Sequence, residues 1–131
     1  MKEFAIRLKE NEDITNAIEK ICKDNNFNTV VVLSSVGSIK HLHIRLAMAK
    51  GFMDVQKDFE ILSLNGTVSN GKSHLHICVS DDKGTCLGGH LVQGTIVNTT
   101  CELVLGILEE YESERTYDNN TSFGEIHFTK K

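Results

Sequence analysis

The tetrapeptide "HLHI" occurs twice in this 131-residue chain, at His41–Ile44 and at His74–Ile77. Each copy sets two imidazoles two residues apart. In a β-strand, residues i and i+2 project from one face, so each pair stands side by side. A neutral imidazole is a good ligand for zinc, and also for nickel, copper and iron. For the second copy a third ligand follows. "DDKG" at 81–84 reads as a hairpin turn, and the returning strand, "TCLGGHLVQG", carries His90 behind a Gly-Gly pair that permits a bulge or close backbone approach. His74, His76 and His90 together make the ligand set of an open three-histidine zinc site, with the fourth position left to water or a ligand. Cys78 continues the face of His74 and His76 and can contact the same metal. Glu102 is a candidate general base, or a structural carboxylate. The alternative for the whole set is a polar sheet face whose histidines hydrogen-bond or meet solvent. His41 and His43 share their face with Arg45, whose charge opposes a cation, so they read as surface or subunit-contact residues.

No catalytic motif accompanies these side chains. There is no G-x-S-x-G, no P-loop and no G-x-G-x-x-G. The Gly-Lys-Ser at 71–73 ends a stretch whose earlier glycine is wrongly spaced for a phosphate loop. Enzymatic activity has no recognisable motif to carry it, and a non-enzymatic role is the expectation. The four cysteines, at 22, 78, 86 and 101, form no C-x-x-C pair, so neither a zinc ribbon nor a redox motif is indicated. They are expected to be reduced and partly buried.

The formal net charge of −4 argues against a protein that holds nucleic acid by neutralising phosphates. The chain has no proline, which excludes an AT-hook with its Arg-Gly-Arg-Pro type core. Apolar runs such as Val30–Leu33 are too short to span a bilayer, and "MKEFAIRLKE" lacks the apolar stretch of a signal peptide. The expectation is a cytoplasmic protein with no membrane partner.

The elements that would position the histidines follow from hydrophobic period. Phe4, Ile6 and Leu8 alternate with polar residues and predict a half-buried strand. Asp13 can cap a helix carrying Ile14, Ala17, Ile18, Ile21 and Cys22 on one stripe, ended by "DNN" at 24–26. "TVVVLSSVG" predicts a buried strand, and a second alternation runs from Ile39 to Met48. Residues 50–58 read as a loop or ragged strand. "FEILSLNG" is a strand closed by an Asn-Gly turn signal. In "SHLHICVS", Leu75, Ile77 and Val79 point to the core. "CELVLGILEEY" is ambiguous between strand and helix, 112–122 reads as a loop, and "GEIHF" as a last short strand. This is an α+β pattern: one main N-terminal helix, then a mainly antiparallel sheet, within a single domain over residues 1–131.

The ordered set "EILSL", "HLHI", "GGHL" and "TTCE", with "LSSVGSI" before it, resembles the plant-and-prokaryote-conserved (PPC) domain over most of the chain. The resemblance implies an α+β fold that assembles into a homotrimer. Plant members add AT-hooks that grip AT-rich DNA, and stand-alone prokaryotic members are called DNA-binding by that association. It also implies that the histidines of "HLH" and "GGH", here His74, His76 and His90, form a metal cluster. Two functional readings follow: a trimeric DNA-binding or regulatory module, and a small zinc-binding protein, ligand-binding protein or metal-dependent enzyme.

Overall fold

Asp13 starts the only α-helix, α1 (Ile14–Asp24), by accepting the Asn16 amide at 3.0 Å. Its second oxygen accepts the Gly94 amide at 2.7 Å, which ties the helix start to the loop ahead of a central strand. Ile14, Ile18 and Cys22 bury the predicted stripe. Asp13→Ala removes a cap and a tertiary bond together. It should cost about 1–2 kcal/mol of stability, read as a lower urea midpoint at unchanged slope.

The computed structural model describes residues 1–131. Around α1 lie β1 (Lys2–Lys9), β2 (Thr29–Arg45), β3 (Phe52–Val55), β4 (Phe59–Ser69), β5 (Lys72–Ser80), β6 (Cys86–Leu91), β7 (Ile96–Ile107), β8 (Tyr111–Asp118) and β9 (Phe123–Lys130). All pairings are antiparallel. The main sheet runs β1-β7-β2-β4-β5-β6, and β6 also pairs with the end of β2. Strands β2, β4, β5 and β6 therefore close a hydrogen-bonded ring. Leu42, Ile44, Leu75, Ile77, Val79 and Leu91 belong to one continuous core from which the predicted inward face of β5 is not missing a member.

Several sequence expectations change. The two runs read as separate strands are one strand, β2, carrying register shifts near Gly37 and Ile39. A shift moves the side-chain alternation by one, which is why Ile39 and Leu42 are both fully buried. The Val-rich run is not buried throughout: Leu33 and Val36 are 46% and 53% exposed. The second alternation ends at Arg45, and Met48 lies beyond it at φ 62, fully on the surface. Phe52–Val55, read as loop or ragged strand, pairs with Leu42–Arg45. The Asn65-Gly66 signal is not a turn but lies inside β4; the two-residue turn is Asn70-Gly71, both at positive φ. "CELVLGI" is strand throughout.

The predicted loop at 112–122 is largely strand β8, which with β9 forms a separate hairpin. It docks through hydroxyls rather than apolar side chains. Thr29 Oγ1 donates to Ser113 Oγ at 2.8 Å, which donates to Ser69 Oγ at 2.8 Å. A buried chain of satisfied hydroxyls holds the hairpin without any hydrophobic period for a sequence reading to detect.

Candidate metal centre

The turn between β5 and β6 sets the register of the histidines. Asp81 Oδ1 accepts the amides of Lys83 and Thr85, each at 2.9 Å, and Gly84 supplies a left-handed residue at φ 78. Lys57 Nζ stands 2.9 Å from the other Asp81 oxygen. That bond, followed by the two amides, holds the carboxyl down to about 2. The turn so fixed places His76 directly opposite His90, with Cys78 opposite Gly88. Glycine is required twice on β6. A Cβ at Gly88 would lie 2.8 Å from the Ile77 carbonyl oxygen, and one at Gly89 would lie 2.8 Å from that of Arg45. The pair thus lets β6 pass closely between β5 and β2.

His74, His76 and His90 come together on the outer face of this hairpin. One ring nitrogen from each lies within 4.8 Å of the others. Ring centroids are 5.2 Å apart for His74 and His76, 5.2 Å for His74 and His90, and 5.6 Å for His76 and His90. Zinc–nitrogen bonds of about 2.0–2.1 Å in tetrahedral geometry need nitrogens roughly 3.3 Å apart, a closure within the reach of small χ rotations. His90 is half-buried, and its Nδ1 is buried without a hydrogen-bond partner. A buried ring nitrogen with no partner is costly, and a bound ion or an ion's water satisfies it. The donor set therefore fits a divalent transition metal.

Burial and neighbouring positive charge favour the neutral, ligating form of His74 and His90. Burial, then Arg45, His74 and His76, push His90 down to about 4. Burial, then His76 and Arg115, also lower His74. In the folded, metal-free chain His74 and His90 thus stay neutral to lower pH than in the unfolded chain, where histidine takes up a proton near pH 6.5. Where the unfolded state binds more protons, stability falls as pH falls. The metal-free protein should lose stability between about pH 6.5 and 4, and His90→Gln should flatten that dependence in urea titrations.

Other candidates separate from this cluster. His41 pairs through Nε2 with Asp54 Oδ1. His43 Nδ1 bonds the Gln93 carbonyl at 2.6 Å, and its ring packs near Phe52. Both make local bonds apart from the three-histidine group. Arg45 itself, however, pairs with His90 across β2 and β6 and so flanks the second HLHI copy. Cys78 is half-buried beside Cys86 rather than within the three-histidine group. Glu102 is exposed on β7 between Arg7 and Val36, and β7 pairs with neither β5 nor β6. Glu102 therefore stands apart from the three-histidine group.

The sequence reading misses Arg115 and Glu125. Both lie on the β8–β9 hairpin and both act electrostatically on His74. Arg115 Nη2 donates to Thr67 Oγ1 at 3.3 Å, and Thr67 is the cross-strand partner of His74. The signal that locates Arg115 is the alternation Ser113, Arg115, Tyr117 in "YESERTYD", and Glu125 follows on the paired strand "FGEIHFTK".

The fold is similar to several solved structures. A hypothetical protein of Salmonella cholerae-suis matches with a TM-score of 0.95 and 29% identity over 99% of this chain and 94% of its own. A candidate DNA-binding protein from Bacteroides thetaiotaomicron gives 0.85 and 25% over 96% and 91%. A metal-containing protein from Archaeoglobus fulgidus gives 0.76 and 26% over 95% and 91%. Among curated proteins, the bifunctional protein GlmU of Synechococcus sp. (strain JA-2-3B'a(2-13)) is 34% identical over 127 residues. The chain spans 20% of that relative's length. Residues 1–109, which include α1, the closed ring and all three clustered histidines, match the Plants and Prokaryotes Conserved (PCC) domain, and the chain belongs to that family.

Proposed function

We propose that residues 1–131 act as one metal-binding domain that self-associates as a homotrimer, with His74, His76 and His90 holding zinc or another divalent transition metal. The observation that carries this reading is the convergence of one ring nitrogen from each of the three histidines within 4.8 Å, beside a His90 whose Nδ1 is buried without a partner. The similarity to a metal-containing archaeal protein supports it. Three histidines leave a position open for water, a small-molecule ligand or a substrate, so the site is a binding centre first and a catalytic one only if a ligand reacts there. For assembly, Leu33, Val36 and Leu62 are 46%, 53% and 56% exposed on the paired strands β2 and β4. Apolar side chains grouped on a sheet face favour coverage by a neighbouring copy. The four free cysteines suit a reducing compartment, the cytoplasm in this reading. No helix of the chain is long and apolar enough to cross a membrane.

A second reading is a DNA-binding regulatory module, favoured by the likeness to a candidate DNA-binding protein. The net charge of −4 weighs against it.

Zinc added to metal-free protein tests the first reading. At a free concentration about a hundred times the dissociation constant, binding should stabilise the fold by about 2.7 kcal/mol. Sedimentation equilibrium should return three times the chain mass. An unchanged melting temperature with no zinc uptake rejects the metal reading, and a monomer mass rejects the trimer. Salt-sensitive binding to a labelled duplex, with no metal uptake, would favour the second reading.

A further inference from the structure

We propose that the three-histidine centre binds a small oxyanion, a carboxylate or phosphate, clamped between the bound metal and the guanidinium groups of Arg45 and Arg115. The proposal rests on the metal reading above and names the class of ligand for its open position.

The two arginines reach the cluster from different elements. Arg45 ends β2 and is the cross-strand partner of His90. Arg115 is carried by β8, and its bonds to Thr67 Oγ1 and to the Gly124 carbonyl, each 3.3 Å, place it beside the His74 position. Neither guanidinium takes part in an ion pair. Arg45 instead lies 5.9 Å from the centre of the Phe123 ring, which supports one face of a planar cation. Both positive charges act on His74. Glu125 is the one carboxylate that also acts on His74, against two arginines of opposite sign.

A divalent ion among these groups creates a strong positive excess at a partly desolvated surface. Such an arrangement repels the metal unless an anion accompanies it. A guanidinium offers paired N–H donors that match two oxygens of a carboxylate or phosphate. An oxyanion can therefore fill the metal's open position with one oxygen and take hydrogen bonds from the arginines with the others. Arg115 and Glu125 lie beyond the matched residues 1–109, so the hairpin completes the site from outside that region.

Metal and anion must then favour each other reciprocally. The test measures cobalt(II) affinity of the full chain with and without low-millimolar inorganic phosphate, and separately acetate, for wild type, Arg45→Gln and Arg115→Gln. Complexation of cobalt by free phosphate is common to all three proteins and cancels in the comparison. Wild type should gain about tenfold in metal affinity with the preferred anion, and each variant at most about twofold. Without added anion the variants should bind cobalt at least as tightly as wild type, because repulsion has been removed. A preference for phosphate or for acetate identifies the oxyanion. Cobalt binding with the same anion response in all three proteins overturns the oxyanion clamp while leaving the metal reading intact. Absence of cobalt binding to wild type overturns both.

Discussion

Replacing His76 with alanine should weaken zinc binding by roughly 10²–10³-fold while leaving the fold in place. His76 joins the two strands of the cluster, two residues from His74 on β5 and opposite His90 on β6. Its ring lies 5.2 Å from one partner and 5.6 Å from the other. Structural zinc sites with four protein ligands bind with about 10–16 kcal/mol, which is about 2.5–4 kcal/mol per ligand. The side chain is exposed, so its loss should change metal-free stability by no more than about 0.5 kcal/mol. Competition titration against a zinc chelator reads the affinity, and urea unfolding reads the stability. Unchanged affinity in the variant would place any bound zinc elsewhere.

Gly66→Ala should act in the opposite way, by damaging the scaffold. Gly66 sits inside β4 at φ 140, opposite Leu75 of β5. A Cβ there would lie 2.0 Å from the His74 carbonyl oxygen and 2.9 Å from the Leu75 Cα. These are backbone atoms of the strand that carries His74 and His76, so no side-chain rotation relieves the clash. Adding the steric displacement to a backbone region favouring glycine, the cost should be at least about 3 kcal/mol, or a melting temperature lower by roughly 10 °C. Zinc affinity should fall with it, because β5 must move. A variant of wild-type stability would show that β4 and β5 are not so closely paired.

The juxtaposition of the three histidines is legible in the sequence because short-range rules suffice for it. Period-2 alternation puts His74 and His76 on one face and Leu75, Ile77 and Val79 in the core, and a four-residue turn returns His90 alongside. The same rules fail where longer-range contacts decide. Two Asn-Gly pairs lie five positions apart, and each satisfies the chemistry of a tight turn. Pairing with β5 selects the second as the turn, and uses Gly66 of the first for close backbone approach. Register shifts in β2 defeat a simple alternation count, and leave Leu33 and Val36 outside the core. The β8–β9 hairpin escapes notice because Ser113 is its buried residue and hydroxyl bonds hold it. With it go Arg115 and Glu125, two of the charged groups that act on His74. Pattern therefore finds the candidate ligands, whereas the charged groups around them depend on tertiary docking.

The most direct test of the metal centre is the metal content of tag-free protein, measured by elemental analysis beside His76→Ala prepared identically. Close to one zinc or other divalent transition metal per chain is expected in the wild type, and loss of most of it in the variant. Wild-type protein that remains metal-free after incubation with zinc and removal of the excess would contradict it, as would equal metal content in both proteins.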